Sequence, residues 1–71
     1  RANMINNFIN LTDFNGLGLV NMNHVIGVTD SKHDQMQKGF LSTLHIINGD
    51  KINVKESLRD IEHKIRLVDE L

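Results

Sequence analysis

The chain of 71 residues contains no cysteine, which excludes disulfide bonds and zinc sites built on thiolates. This absence fits the reducing cytoplasm, where we expect the protein to reside. No apolar run approaches the roughly 18 residues that a membrane span needs, and no signal-peptide core is visible, so we expect no membrane insertion. A single domain this small buries only about 60% of the surface of its unfolded chain. Because such domains often need a partner for stability, we expect a homo-oligomer.

Several kinds of functional site are missing as well. The formal net charge is −1, so no basic field attracts phosphate, and there is no tryptophan or tyrosine to stack on bases. The glycines are scattered among turns rather than gathered in a phosphate-binding loop. The four histidines show no metal-ligand spacing such as HxxxH; they are His24, His33, His45 and His63. We therefore predict no catalytic residue, no metal and no cofactor, and hence no enzyme.

Residues 1–3 precede Met4, at which a natural chain could begin. We expect residues 1–3 to be a remnant of cloning and residues 4–71 to form one small β-rich domain. The segment around Asn15-Gly16 predicts its first hairpin, because the type I′ turn needs a positive φ at both central residues and Asn-Gly supplies it. With that loop Leu11 lies opposite Val20, and one face carries the apolar residues Ile9, Leu11, Val20 and Met22.

A short third strand follows, with Ile26 and Val28 on one side. Residues 30–39 show no apolar period, and we predict a mobile loop there. At the second Asn-Gly, residues 48 and 49, a two-residue loop would place Leu44 opposite a polar residue. A three-residue loop with Gly49 in the left-handed conformation pairs even with even positions, so we predict that Leu44 and Ile52 share the inner face.

The last segment predicts a single helix over residues 57–70. Ser57 is the expected N-cap, and Asp60 follows at the position of a capping box. The apolar stripe contains Leu58, Ile61, Ile65 and Val68, widened by Leu67 and Leu71. On the solvent side we expect the pairs Asp60–Lys64 and Glu62–Arg66.

These elements predict a small α+β fold of order β-β-β-β-β-α. Its five strands form a bent antiparallel sheet or a partly open barrel, and the C-terminal helix covers the apolar face. That face carries Ile9, Leu11, Leu44, Ile46, Ile52 and Val54. The three phenylalanines, Phe8, Phe14 and Phe40, are expected to pack in the core or at its edge.

The remaining polar residues have structural interpretations that outweigh functional ones. Ser42 or Ser57 could pair with a histidine, but Ser57 already serves as a helix cap. Glu56, Asp60 and Glu62 make an acidic helix start that complements the helix dipole. A basic strip for nucleic acid remains the alternative, with Lys32, Lys38, Lys51, Lys55 and Arg59 as its contacts, although acidic residues nearly balance it.

The assembled pattern resembles the flagellar FlbD (SwrD-like) family of small bacterial proteins. The matching residues span about 50 positions in the same order: Ile9, Leu11, Thr12, Asn15, Gly16, Asn21, Ile26, Thr43, Leu44, Asn48, Gly49, Val54, Lys55, Glu56 and Ser57. The most specific part is Val-Lys-Glu-Ser at residues 54–57. The chain departs from the family in the longer polar loop at residues 30–39 and in residues 4–8. The resemblance implies a non-enzymatic protein linked to flagellar function, without catalytic residues.

A second, weaker likeness is to the LytTR DNA-binding domain, which is similar around residues 54–62. We therefore expect a non-catalytic protein-interaction or assembly module from a bacterium or phage, self-associating through a sheet edge. The alternative is a small nucleic-acid-binding regulator that uses the lysine strip.

Overall fold

The computed structural model describes residues 7–69. Five strands, two helices and a 3₁₀ turn follow one another: β1 (Phe8–Asp13), β2 (Gly16–Asn21), the 3₁₀ turn Met22–His24, β3 (Val25–Asp30), α1 (His33–Gln37), β4 (Ser42–Ile46), β5 (Lys51–Val54) and α2 (Leu58–Asp69). The small α+β class with a C-terminal helix is confirmed.

The five strands do not form one sheet, so the predicted five-stranded sheet or partly open barrel is wrong. β1 and β2 make a two-stranded antiparallel sheet, and β3, β4 and β5 make a second sheet with β4 at its centre. β1 approaches β5 at one end, where the Lys55 N–H donates to the Thr12 carbonyl over 2.8 Å. Because β5 is only four residues long and the chain then turns into α2, it offers too little edge for a full ladder with β1.

The first hairpin forms, but its turn lies one residue earlier than expected. Asp13 pairs with Gly16, which makes Phe14 and Asn15 the loop, and Ile9 pairs with Val20. No non-glycine residue in 7–69 has a positive φ, so Asn15 cannot take the type I′ position. The Asp13 carboxylate accepts from the Asn15 N–H over 2.8 Å and closes the turn, with Gly16 at φ 112° after it.

Each β1 residue therefore pairs with the β2 residue two positions before its predicted partner. Because side chains alternate with a period of two along a strand, the predicted faces are unchanged. Ile9 and Leu11 are buried as predicted, with Val20 and Met22 packed against them. Met22 lies in the 3₁₀ turn rather than opposite Ile9. Phe14 is displaced to the hairpin tip and is 88% exposed, which corrects its expected packing role.

β3 contains a bulge that the alternating pattern did not reveal. Val25 pairs with Ile46 and Gly27 with His45, which leaves Ile26 as an extra residue between them. Val25 and Val28 therefore face the core, whereas Ile26 is 70% exposed. The prediction that Ile26 and Val28 share a side is wrong.

Residues 30–39 contain the short helix α1 instead of an open loop. The helix ends in a Schellman motif: the Phe40 N–H donates to the Gln35 carbonyl, the Gly39 N–H donates to the Met36 carbonyl, and Gly39 has φ 94°. Phe40 is buried, which anchors this end of the helix. A helix of five residues is too short to show an apolar period.

The second hairpin follows the prediction closely. The Ile46 N–H donates to the Asp50 carbonyl, so residues 47–49 form a three-residue loop, with Gly49 at φ 97°. Leu44 pairs with Ile52, which confirms the even-to-even register and the shared inner face.

α2 begins as predicted at the Ser57 cap, whose Oγ accepts from the Asp60 N–H over 3.2 Å. Its stripe packs through Ile61, which is buried, and Ile65. Leu67 is half-exposed and does not widen the stripe, and Leu71 lies outside the described residues. Glu62 and Arg66 form the expected ion pair at 3.1 Å, on the exposed side of the helix.

The hydrophobic core lies between the two sheets and α2. Its buried residues are Ile9, Leu11, Leu44, Val54 and Ile61, with Ile46 and Ile52 packed against them. The predicted inner face is therefore confirmed. α2 and both sheets pack on this cluster through their inner faces. The outer face of each sheet points away from the core and is available for other contacts.

Candidate functional site

The side of the first hairpin that faces away from the core carries three exposed apolar side chains among the polar residues Asn10, Thr12 and Asn21. Leu17 is 71% exposed and Leu19 is 68% exposed, and Phe8 lies near them on β1. Pairing of Thr12 with Leu17 and of Phe8 with Asn21 puts these side chains on one face. We call Phe8, Leu17 and Leu19 the hairpin outer face. Exposed apolar side chains grouped on one face are typical of interaction sites.

One long edge of this hairpin is also open. The Met22 N–H donates to the Asn7 carbonyl over 2.8 Å, which makes Asn7 and Met22 a hydrogen-bonded pair. Such pairs alternate along an antiparallel ladder, so Val20 and Gly18 direct their backbone groups towards β1. Leu17 and Leu19 direct theirs to the other side, where the described part of the chain supplies no strand. β2 is thus an edge strand with outward donors and acceptors.

The backbone of β1 supports this orientation. By the same alternation Thr12 points away from β2, and there its carbonyl accepts from Lys55. Its N–H and its Oγ1 both donate to the Glu56 carboxylate, over 2.8 and 2.9 Å. The sequence predicts a solvated helix start for Glu56, whereas in the structure its carboxylate fixes β1 to the start of α2. No local pattern signals a contact between residues 44 positions apart.

The outer face of the three-stranded sheet differs from that of the hairpin, because it is polar and internally hydrogen-bonded. Thr43 Oγ1 donates to Asn53 Oδ1 over 2.7 Å and lies 3.2 Å from Ser31 Oγ. Thr29 Oγ1 and His45 Nε2 are 2.8 Å apart. His45 is therefore a sheet-surface residue, as expected, with its ring oriented by Thr29.

Three of the five predicted basic contacts meet in one groove. Lys38, Lys51 and Lys55 line an open groove of about 820 Å³ between the hairpin tip and β5, together with Phe14 and Asn53. Lys32 lies in an adjoining depression of about 290 Å³ that shares Lys51 and Asn53 but also contains Asp30 and Asp34. Arg59 lies on α2 and lines neither. The structure thus brings together the α1 and β5 lysines and leaves Arg59 apart.

The serines have no catalytic geometry. Ser57 caps α2. Ser42 is fully buried on the core side of β4, and its Oγ finds no hydrogen-bond partner within residues 7–69. His45 extends from the opposite face of the same strand, which keeps it from Ser42. The described residues also contain no group of three or more potential metal ligands.

No helix among the described residues is long and apolar enough to cross a membrane. Comparisons of the chain with protein-family models, with curated proteins and with solved structures find no match. The resemblance to the FlbD family therefore stays a prediction, and a function has to be proposed from the surfaces described above.

Proposed function

We propose that the protein is a non-catalytic protein-interaction module of a bacterium or phage that self-associates through the edge of β2. The observation that carries the proposal is the hairpin outer face, where Leu17 and Leu19 lie in solvent beside outward backbone groups. Exposed apolar clusters mark interaction sites, and an open edge pairs readily with another strand. The core cluster holds only five buried apolar residues, so further burial would add materially to stability.

β2 lacks the features that protect edge strands. Its sequence, GLGLVN, contains no charge and no proline, which are common devices against edge pairing. β3, at the edge of the other sheet, instead carries a bulge and ends in Asp30. We therefore assign the interface to β2 rather than to β3.

A second copy of β2 fits this edge in antiparallel register about a two-fold axis. Leu17 and Leu19 both direct their N–H and C=O groups outward, so Leu17 of one copy can form a hydrogen-bonded pair with Leu19 of the other. Gly18 then lies opposite Gly18 of the other copy, on the axis. This register matches leucine with leucine on the hairpin outer face and joins two two-stranded sheets into one of four strands.

Light scattering over a micromolar concentration series tests the proposal. The unchanged protein should show a mass above that of the monomer, and Leu19→Lys should be monomeric, because a lysine on an edge strand disfavours pairing and the substitution removes the leucine contact between the two copies. Ile26→Lys is the matched control, since Ile26 is exposed to a similar extent on the edge of β3. A monomeric parent protein would contradict self-association. If Ile26→Lys dissociated the oligomer and Leu19→Lys did not, the interface would lie at β3 instead of β2.

Cysteine crosslinking tests the register, because the chain has no cysteine of its own. Gly18→Cys should form a disulfide-linked dimer on mild oxidation, since Cα atoms of a non-hydrogen-bonded pair are about 4.5 Å apart, within disulfide range. A Cβ at Gly18 meets no atom within 4 Å, so the substitution fits the fold. Leu17→Cys, which would lie opposite residue 19, is the control. Faster crosslinking of Leu19→Cys than of Gly18→Cys would overturn this register.

The resemblance to the FlbD family adds a cellular setting to the proposal. It favours a role in assembly at the flagellum, with self-association as the biochemical activity. A strain lacking the protein, complemented with the parent or with Leu19→Lys, tests this setting. Motility restored by the parent alone would support it, and normal motility without the protein would contradict it.

A further inference from the structure

We infer that the groove between the hairpin tip and β5 binds single-stranded nucleic acid. This activity is separate from self-association, because the groove is lined by the tip, α1 and β5, whereas the proposed interface is the edge of β2. The groove is open, so an extended chain of nucleotides can enter it from the side. Three kinds of groups in it fit that ligand: lysines, an exposed aromatic ring and an oriented amide.

The lysines give the groove a net positive lining. Lys38 directly follows α1, Lys51 begins β5 and Lys55 directly follows β5, and among the described residues none of them forms an ion pair. The acid in the lining is Asp13, whose Oδ1 accepts from the Asn15 N–H and whose carboxylate keeps its negative charge. A cluster of three cations against one hydrogen-bonded carboxylate attracts phosphate groups even though the whole chain is slightly acidic.

Phe14 provides a stacking surface for a base. It is the most exposed large apolar residue of the described chain, at 88%, and it stands at the rim of the same groove. Stacking of bases on aromatic rings beside a basic groove is the usual arrangement in proteins that bind single strands without sequence preference.

Asn53 adds a polar contact in the floor. Its Oδ1 accepts from Thr43 Oγ1, which in turn lies beside the buried Ser31 hydroxyl. This chain fixes the amide and leaves its NH₂ group to donate to a base carbonyl or a phosphate oxygen. Beyond Asn53 the adjoining depression contains Asp30 and Asp34, which repel phosphate and so mark the end of the path.

Fluorescence anisotropy with a labelled short oligothymidylate tests the inference. Binding should weaken with salt at a log–log slope of about −2, since each of three phosphate contacts contributes about −0.7. Lys51→Gln with Lys55→Gln should reduce the slope to about −0.7 and weaken binding about tenfold or more at low salt. Lys64→Gln, on α2 outside the groove, is the matched control and should bind like the parent.

A second arm separates nucleic acid from phosphate alone. Phe14→Ala should weaken the affinity for oligothymidylate at least about fivefold. The affinity for inorganic polyphosphate, measured by competition, should stay unchanged, because polyphosphate has no base to stack. Urea midpoints equal to that of the parent would show that these surface variants fold. The inference would be overturned if the parent did not bind oligothymidylate, or if Lys64→Gln lost as much affinity as the double lysine variant. It would also be overturned if polyphosphate bound as tightly as oligothymidylate and Phe14→Ala had no effect. Leu19→Lys should bind normally, which keeps this result independent of self-association.

Discussion

The two hairpins are built on similar turns and end with opposite surfaces. Both contain Asn-Gly with the glycine at a positive φ, and both bury their inner face in the same core. The first hairpin exposes leucines on its outer face, whereas the outer face of β4 and β5 carries the hydrogen-bonded pair Thr43 and Asn53, with Lys51 beside them. Turn and inner face together specify how each hairpin folds. The outer faces are free to differ, and they carry the two proposed activities.

The two turns differ in where a side-chain hydrogen bond lies relative to the glycine. In the first, the Asp13 carboxylate binds the Asn15 N–H ahead of Gly16; in the second, Asn48 Oδ1 binds the Asp50 N–H, beyond Gly49. The loops are accordingly of two and three residues, and the first ladder pairs odd with even positions while the second pairs even with even. Each register is therefore accompanied by its own side-chain hydrogen bond in the turn.

The largest expected effect compares one leucine from each hairpin. Leu44→Ala in β4 should lower the free energy of unfolding by about 3 kcal/mol, because Leu44 is fully buried and its loss leaves a cavity. Leu19→Ala in β2 should change it by less than about 0.5 kcal/mol when measured at a concentration where the chain is monomeric. Urea unfolding measures both. Equal losses would mean that the hairpin outer face is packed rather than exposed.

The second-largest expected effect concerns the hydrogen bonds between Thr12 of β1 and Glu56, just before α2. Glu56→Ala removes the acceptor for both Thr12 hydrogen bonds and should cost about 2 kcal/mol, as expected for charge-assisted bonds that are partly buried. Glu62→Ala is the control, because its ion pair with Arg66 is exposed and should contribute less than about 0.5 kcal/mol. A double-mutant cycle with Thr12→Val isolates the hydroxyl's share. Additive effects of Glu56→Ala and Thr12→Val would contradict a direct coupling.

The turn glycines give a smaller and more uniform effect. Gly16→Ala and Gly49→Ala should each cost about 1 to 2 kcal/mol, because alanine is strained at their positive φ values. No atom lies within 4 Å of a Cβ built at either position, so the cost comes from backbone conformation and not from a clash. Gly18→Ala in β2, which has equal space and no positive φ, should be neutral or slightly stabilising. A loss at Gly18 as large as that at Gly16 would refute this account.

The smallest expected effect compares two serines, whose replacement by alanine should change the free energy of unfolding in opposite directions. Ser42→Ala should raise the free energy of unfolding by up to about 1 kcal/mol, because it removes a buried hydroxyl that lacks a partner. Ser57→Ala should lower it by about 1 kcal/mol, because it removes the cap of α2. Thermal unfolding resolves the difference. A loss at Ser42 would reveal a hydrogen bond that the geometry does not include.

Sequence periodicity predicted the parts of the fold in which apolar residues repeat. The inner faces, the Ser57 cap and the three-residue loop at Gly49 all follow from spacing and parity. The errors lie where one residue or one polar contact decides the outcome. The Asp13 hydrogen bond moved the first turn, and the bulge at Ile26 reversed a face. α1 is shorter than two helical turns, although Gly39 followed by Phe40 is a recognisable helix end.

The candidate surfaces were only partly accessible from sequence. Leu17 and Leu19 already fell opposite the predicted inner face, so their exposure could have been inferred from parity. The convergence of Lys38 with Lys51 and Lys55 could not, because it depends on how α1 and β5 approach the hairpin tip. Phe14 was misplaced together with the turn. Sites made by tertiary approach have no local signature, and here that approach decides which lysines act together.

The hydrogen bonds between Thr12 and Glu56 also bear on how the chain is synthesised. They join a strand near the N-terminus to a residue that is made 44 positions later, and the core partners Val54 and Ile61 emerge at the same late stage. During translation the first hairpin therefore exposes its inner as well as its outer leucine and isoleucine side chains until the segment from Val54 to Ile61 has left the ribosome. A chaperone that binds nascent apolar segments would find its main target in residues 8–21, and a chain stalled before Glu56 would be prone to aggregate.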